Sequence, residues 1–225
     1  GSGGMGAVYE ATQQELNRKV AIKILHPHLS DDYELVERFR REAQAAAALG
    51  HPNIVGVIDF GNDPPDPPFL VMEFLNGQSL RELMDKSGPL PAKRVALILS
   101  QALSALGAAH AAGIVHRDIK PDNLFLVPVS ARREVTMVLD FGVAKLLKGG
   151  EEVTSAGTVI GTLAYMSPEQ ARARNVDGRA DLYSIAAVMY HALTGKLPLE
   201  ASTHPGMLAA ILSHVPKPAS ELRPD

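Results

Sequence analysis

Three oxygen-bearing side chains in the middle of the sequence have the chemistry of a cation site. Asp118 and Asn123 lie within the segment HRDIKPDNL, and Asp140 opens the tripeptide DFG further along the chain. Carboxylate and amide oxygens suit Mg²⁺, which keeps several waters and bridges substrate phosphates. One of the carboxylates is also a candidate general base. Taken singly, Asp118 could be a turn residue and Asp140 a strand-end cap, but those readings do not explain why they occur together.

The chain opens on the pattern G-x-G-x-x-G-x-V, formed by Gly1, Gly3, Gly6 and Val8. Glycines have no Cβ, so backbone N–H groups can approach phosphate oxygens closely. A dinucleotide-binding fold requires a strand before the glycines and a helix after them, whereas here a strand follows. The pattern therefore excludes a dinucleotide fold and favours a phosphate-covering loop, with a flexible glycine-rich terminus as the alternative.

Two opposite charges are predicted to point inward. Lys23 ends VAIK in an otherwise apolar strand, and Glu42 falls within the apolar stripe of the following helix. A lone lysine would extend its ammonium to solvent, and a lone glutamate would bend out from the edge of the stripe. Together the two charges can neutralise each other, and the Lys23 ammonium can hold phosphate oxygens.

The first third of the chain supplies the strands and the helix that must position these groups. Four β-like runs are predicted to be neighbouring antiparallel strands: Ala7 to Ala11, Lys19 to Leu25, Ile54 to Phe60 and Phe69 to Leu75. A helix is predicted from Asp31 to Leu49, with Asp31 and Glu34 as an acidic capping box. The tract from Asn62 to Pro68 must be a loop, because proline cannot donate to a strand ladder.

From Gly77 onward the pattern is mainly helical. Helices are predicted over Ser79 to Lys86, Ala92 to Ala112, Asp177 to Thr194 and Pro205 to His214, and brief strands over Leu124 to Val127 and Val135 to Leu139. The predicted fold class is α+β with two lobes. A small antiparallel-sheet lobe with one long helix covers residues 1–75, and a larger, mainly helical lobe covers residues 76–225. A cleft between two lobes is a natural ligand site.

The composition excludes several classes of protein and site. The 225 residues contain no cysteine, which rules out disulfides, thiolate metal sites and a catalytic thiol. A formal net charge of −3 gives no basic field, so nucleic acid is not a predicted partner. No apolar run reaches the roughly 18 residues of a membrane span. We expect a cytoplasmic location, with any membrane anchor of a parent protein outside this sequence.

Together these motifs resemble the catalytic domain of protein kinases. The resemblance covers nearly the whole chain: the glycine loop, the lysine of VAIK, the helix glutamate, HRDIKPDN, DFG, and SPEQ at Ser167 to Gln170 where the family has APE. HRDIKPDN and GTLAYMSPEQ are similar to the serine/threonine branch, particularly the bacterial eukaryotic-like kinases. The resemblance further implies a domain cut at both ends, since family elements precede Gly1 and follow Asp225.

The resemblance implies ATP and Mg²⁺ as cofactors. Lys23 would pair with Glu42 and hold the α- and β-phosphates of ATP beneath the glycine loop, while Asn123 and Asp140 would hold Mg²⁺. The implied adenine pocket consists of the side chains of Val8, Ala21 and Phe125 and the backbone of Glu73 and Leu75, next to the gatekeeper position Met72. Core packing alone would also select the apolar members of this set.

A protein substrate is implied in the same way. Asp118 would orient a serine or threonine hydroxyl and accept its proton, and Lys120 would neutralise charge on the transferred phosphoryl group. Asp181, in a buried helix, would tie down the backbone of the catalytic loop.

A regulatory loop is implied between Val143 and Thr162. The candidate regulatory residues are Arg117, Lys145, Thr154, Thr158 and Thr162. The arginine and the lysine would pair with a phosphate on a loop hydroxyl, for which Thr154 is the first choice and Thr158 the second. Thr162 resembles the family threonine that contacts the catalytic aspartate, so we assign it to the site. Autophosphorylation in trans would make a second copy of the chain a partner.

The sequence leaves four functions open. The chain is an active serine/threonine kinase domain, a pseudokinase that acts as a scaffold or nucleotide sensor, a small-molecule kinase, or an inactive piece of an active kinase. Nothing essential to phosphoryl transfer is missing, which counts against the pseudokinase. The segment GTLAYMSPEQ resembles a platform for peptides, which counts against a small-molecule substrate. An inactive piece would regain turnover in a longer chain.

Overall fold

An antiparallel sheet forms the first part of the structure, a computed structural model that describes residues 6–62, 66–131, 133–141 and 163–224, apart from the side chains of Arg38 and Glu42. The sheet contains β1 (Gly6–Gln13), β2 (Arg18–Leu25), β3 (Val57–Gly61) and β4 (Phe69–Glu73) in the order β1-β2-β4-β3. The four predicted neighbouring strands are confirmed. The third begins later than predicted, because Ile54 instead forms a parallel bridge with Val138.

The helix α1 (Tyr33–Leu49) packs against this sheet through its apolar stripe. Phe39 is fully buried, and together with Ala43 it contacts Leu70 and Met72 of β4. The predicted capping residue, Asp31, is wrong by one position. The side chain of Asp32 accepts hydrogen bonds from the backbone amides that open the helix, which satisfies donors without an intrahelical partner.

A second, three-stranded sheet follows the segment that leaves β4. It consists of β5 (Gln78–Ser79), β6 (Leu124–Ser130) and β7 (Arg133–Val138) in the order β5-β6-β7. The two strands predicted in this part of the chain are confirmed and are longer than expected. The two-residue strand β5 was not predicted, because so short a segment carries no periodicity.

Helices make up most of the remainder. They are α2 (Leu80–Ser87), α3 (Ala92–Ala111), α4 (Pro168–Ala171), α5 (Arg179–Thr194), α6 (His204–Ser213) and α7 (Ala219–Leu222), and a 3₁₀ turn covers Pro121–Asn123. The long α3 and α5 carry small, fully buried residues such as Ala105 and Ala180, which allow close packing. The four predicted helices all exist, with ends displaced by only a residue or two.

The arrangement agrees with the predicted α+β class, in which an antiparallel sheet with one long helix precedes a mainly helical part. The division at residue 75 stays a prediction. Among the helices in the described ranges, none is both long enough and apolar enough to cross a bilayer.

Candidate active site

Asp118, Lys120 and Asn123 lie in the connection between α3 and β6, and their side chains meet there. The Lys120 Nζ is 3.2 Å from Oδ2 of Asp118. The Asn123 amide nitrogen donates to the backbone oxygen of Asp118 at 2.8 Å and lies 3.3 Å from Oδ2. Asn123 is 7% exposed, and its own backbone amide donates to the oxygen of Lys120. The 3₁₀ turn thus holds one carboxylate between an ammonium group and an amide.

Lys23 and Asp140 join this group although 117 positions separate them in the sequence. The Lys23 Nζ donates to Oδ1 of Asp140 at 2.8 Å. Lys23 is only 8% exposed, because it lies on the central strand β2. Asp140 follows β7 and comes beside Asn123 because the amide of Leu139 donates to the Asn123 oxygen at 2.9 Å. The predicted partner of Lys23, the Glu42 side chain, lies outside the described part of the structure.

The donor set fits the Mg²⁺ that the fold family implies. The amide nitrogen of Asn123 is committed to Asp118, so its Oδ1 oxygen is the atom that a cation could take. The Asp140 side chain is 42% exposed and supplies a carboxylate beside it. Two protein oxygens are typical of Mg²⁺, which completes its octahedron with waters and phosphate oxygens. In the described ranges no cluster of three or more histidine or acidic residues offers an all-protein metal site.

A buried carboxylate fixes the backbone that leads into this loop. Asp181, on α5, is fully buried and accepts from the amides of His116 at 2.9 Å and Arg117 at 2.8 Å. The ring of His110, on α3, is 2.7 Å from the same carboxylate. Because an ionised carboxylate only accepts, the His110 Nε2 must carry a proton. Asp181 thus contacts the loop backbone, as the resemblance implied. His110 was not predicted, because nothing in the sequence around it distinguishes it from other histidines near the end of an apolar helix.

The ring of His116 is held from both of its nitrogens. Its Nε2 lies 2.9 Å from the backbone oxygen of Leu139, and its Nδ1 accepts from the amide of Asp118 at 3.2 Å. Burial lowers the pKa of His116 below its ordinary value, with the charges of Asp181 and other neighbours opposing the shift. The neutral form fits both contacts, because a proton on Nδ1 would point at the N–H of Asp118.

We predict that the protein loses stability in mild acid through His116. A histidine with a lowered pKa in the folded state binds its proton more readily when unfolded. The free energy of unfolding should therefore be insensitive to this group at pH 7 and fall as pH drops below about 6.5, by up to about 1.4 kcal/mol per pH unit. Chemical denaturation at a series of pH values measures the slope. In His116→Phe the slope of the free energy of unfolding against pH should be smaller than in the wild type, by up to the contribution of one bound proton. A slope equal to that of the wild type would contradict the prediction.

Arg117 adopts a left-handed backbone conformation, with φ of 65°, that is unusual outside glycine. Its backbone oxygen accepts from the Gln170 side chain at 2.8 Å, and its amide donates to Asp181. Its Nε is buried and has no hydrogen-bond partner among the described residues. A buried guanidinium N–H of this kind needs an acceptor, and an anion would supply one. The candidate partners and neighbours Lys145, Thr154, Thr158 and Thr162 lie outside the described residues.

The residues predicted to surround the nucleotide lie on both sheets. Gly6, Val8 and Ala21 are on β1 and β2, Phe125 is on β6, and Leu75 follows β4; Gly1 and Gly3 lie outside the described residues. The Cα of Val8 pairs with that of Lys23 across the β1–β2 ladder. A Cβ at Gly6 would lie 2.1 Å from the Ile24 oxygen, so glycine is required there by packing between strands as well.

Glu73 can serve a nucleotide with only one of its backbone groups. Its amide donates to the oxygen of Gly56 at 3.0 Å, and its side chain accepts from the Gly56 amide at 2.8 Å. Of the Glu73 backbone groups predicted to line the adenine pocket, the carbonyl oxygen is therefore the one that can contact a nucleotide.

Comparison with known proteins decides the family. A family model described as "Protein kinase domain" matches residues 1–220. The chain belongs to the protein kinase family. The similarity to bacterial serine/threonine kinases that the motifs predicted is also confirmed by the relatives described next.

Several curated relatives of this kinase domain are bacterial proteins. It is 46% identical over 227 residues to the serine/threonine-protein kinase Pkn1 of Myxococcus xanthus, covering all of this chain and 32% of the relative. It is 43% identical over 228 residues to pkn3 of the same organism, covering all of this chain and 42% of the relative. PknB of Mycobacterium tuberculosis is 44% identical over 202 residues, with 88% of this chain and 32% of the relative covered. The chain thus spans less than half the length of these relatives.

A solved structure shares the fold. The crystal structure of the Mycobacterium tuberculosis PknI kinase domain has a TM-score of 0.74 and 30% sequence identity, with all of this chain and 79% of that chain covered. The predicted bilobal kinase fold is confirmed.

Proposed function

We propose that this chain transfers the γ-phosphoryl group of ATP to serine or threonine hydroxyls of proteins. The observation that carries the proposal is the convergence of Lys23, Asp118, Asn123 and Asp140 at one place, although they come from a strand, a loop and a strand end. The names of the curated relatives support the same activity. The proposal includes a cytoplasmic location, because ATP is available there.

The protein side chains would perform the reaction by position and charge. The acceptor hydroxyl oxygen attacks the γ-phosphorus, the bond from that phosphorus to its bridging oxygen breaks, and ADP leaves. The hydroxyl proton passes to the carboxylate of Asp118, which Lys120 and Asn123 hold in place. The Lys120 ammonium stabilises the charge on the transferred group, and Lys23 exchanges Asp140 for phosphate oxygens. When bound through Asn123 and Asp140, Mg²⁺ supplies neutralisation of the phosphate charge.

Autophosphorylation of the regulatory loop is also part of the proposal. The buried, unpartnered Nε of Arg117 supports it, because a phosphothreonine would supply the missing anion. The proposed acceptors are Thr154 and then Thr158, in trans between two copies of the chain. Mapping of phosphorylated residues after incubation with Mg²⁺ and ATP tests this. An active enzyme with an unmodified loop would refute it.

Replacing Lys23 with Met should reduce ATP binding and phosphoryl transfer by roughly 100-fold or more, because one buried electrostatic contact to the phosphates is lost. Lys19→Met is the matched control. Lys19 lies on the same strand and its side chain is 62% exposed; it pairs with the exposed Glu10, and its ammonium lies 5.2 Å from the centre of the Phe74 ring. Transfer of labelled phosphate to a generic protein substrate measures the effect. If this chain binds ATP and transfers nothing, the proposal is wrong. The scaffold alternative then stands if a longer chain is also inactive, and the inactive-piece alternative stands if a longer chain regains turnover.

A further inference from the structure

The hydroxyl of Tyr165 lies at a buried junction of three parts of the fold. Tyr165 is only 2% exposed and lies in the segment between the regulatory loop and α4. Its hydroxyl is 2.7 Å from Nδ1 of His191 on α5. The Arg81 Nη2, on α2, donates to the same hydroxyl at 3.0 Å. We call Arg81, Tyr165 and His191 the tyrosine junction.

The hydrogen bonds of the junction have one direction only. Burial raises the pKa of Tyr165 to about 12, so the hydroxyl keeps its proton. Burial, followed by the nearby charge of Arg81, lowers the pKa of His191 to about 4, so the imidazole is neutral. Arginine can only donate, so the single hydroxyl proton must point at the lone pair of the His191 Nδ1. The junction is therefore a chain in which Arg81 donates to Tyr165 and Tyr165 donates to His191.

The tyrosine junction is adjacent to the catalytic loop. Tyr165 and Met166 line a small cavity together with Arg117 and Asp118. The backbone oxygen of Tyr165 accepts from the Ser184 hydroxyl on α5 at 2.8 Å, so the residue is held at both ends. A shift of this ring would therefore be transmitted to the residues beside the reacting carboxylate.

The arginine of the junction reaches the catalytic loop a second time. Arg81 Nε is 3.9 Å from a carboxylate oxygen of Asp122, within the 3₁₀ turn that ends at Asn123. Arg81 also lies 3.7 Å from Asp85 on its own helix. The side chain is 29% exposed, so its charge is only partly screened by water. The guanidinium consequently connects α2, the catalytic turn and the tyrosine hydroxyl.

We propose that Arg81 and His191 are positioning residues for phosphoryl transfer. By holding the Tyr165 hydroxyl from two sides, they fix the segment around Tyr165 against the catalytic loop, so that an acceptor hydroxyl meets Asp118 in one geometry. This inference rests on the proposed function. A purely structural role would require only that the Tyr165 hydroxyl has some hydrogen-bond partner. A positioning role requires the hydrogen bonds to both Arg81 and His191.

The test compares two substitutions of His191 in the full chain. Asn can place its Oδ1 where the Nδ1 lay and still accept from Tyr165, whereas Leu has a similar volume and cannot accept. The measured quantities are kcat and KM for a protein acceptor, KM for ATP, and thermal stability, all at a temperature where every variant is folded. His214→Leu, on the exposed end of α6, is the matched control.

His191→Leu should lower kcat/KM for the acceptor by about 10- to 100-fold, the range expected when a buried donor loses its partner. KM for ATP should stay within about 2-fold, because no junction residue belongs to the proposed nucleotide site. His191→Asn should recover activity to within about 3-fold of the wild type. Arg81→Met should lower kcat/KM for the acceptor by a similar factor to His191→Leu.

A double variant separates positioning from simple satisfaction. In Tyr165→Phe with His191→Leu, the hydroxyl that His191→Leu alone leaves without an acceptor is gone, and the Arg81 guanidinium keeps Asp85 and Asp122 as neighbours. If the junction positions the segment, the double variant stays as impaired as His191→Leu alone. Full recovery of transfer in the double variant, or unchanged kinetics in His191→Leu, would overturn the proposal while the proposed function stands. A wild-type chain without any transfer would overturn both.

Discussion

Asp118→Asn should lower the rate of phosphoryl transfer by roughly 100- to 10,000-fold while ATP still binds. The carboxylate is the group between Lys120 and Asn123 that can orient an acceptor hydroxyl and take its proton. An asparagine keeps the size of the side chain and can still accept from Asn123, but it has no charge and no basicity. The loss should therefore appear in kcat and leave KM for ATP nearly unchanged.

The control for Asp118→Asn is Asp59→Asn, the same chemical change on the exposed strand β3. The exposed Asp59 carboxylate accepts from the backbone amide of Phe60 at 2.8 Å. Transfer of labelled phosphate to a protein acceptor measures the rates, and fluorescence titration measures nucleotide affinity. Transfer by Asp118→Asn within a few-fold of the wild type would show that another group accepts the proton.

The local elements of the fold could be predicted because each depends on nearby residues. Short β-like runs bounded by turns identified β1, β2 and β4, and apolar spacing identified α1. The prediction of the helix cap was wrong because Asp31 and Asp32 are adjacent residues of the same type. The structure shows that the Asp32 side chain accepts from the first amides of the helix.

The members of the site could be named from motifs, but their contacts could not. The pairing of Lys23 with Asp140 joins residues 117 positions apart and depends on how the two sheets are placed. Periodicity predicts which face of a helix is buried and does not predict which polar atoms meet inside. His191 and His110 therefore looked like ordinary helix residues, although one accepts from Tyr165 and the other contacts Asp181.

Asp181→Asn should destabilise the fold by about 3–5 kcal/mol, because it removes one partner of a buried charged network. The carboxylate is fully buried and serves two backbone amides and the His110 ring. An asparagine would offer one oxygen and place an NH₂ group against donors, which leaves at least one amide unsatisfied. Denaturant unfolding measures the change in free energy.

Asp177→Asn is the matched control for Asp181→Asn. It lies four residues earlier, just before α5, and its contacts to Arg179 are exposed, with the two side chains 59% and 85% accessible. Its effect on the free energy of unfolding should be below about 0.5 kcal/mol. His110→Phe gives a graded version of the same test, because it removes one donor and leaves both backbone contacts of Asp181 in place.

The activity of Asp181→Asn should fall further than its stability alone explains. Arg117 holds a left-handed φ of 65°, a conformation that costs about 1–3 kcal/mol and persists only where its surroundings enforce it. Two hydrogen bonds hold this conformation: the Arg117 amide donates to Asp181, and the Arg117 oxygen accepts from Gln170. Without the carboxylate, Arg117 can relax, and the Asp118 side chain that follows it moves with it. Hydrogen exchange at the amides of His116 and Arg117 should accelerate in the variant while the centre of α3 stays protected. If those two amides were as protected in the variant as in the wild type, Asp181 would stabilise the fold without holding the loop.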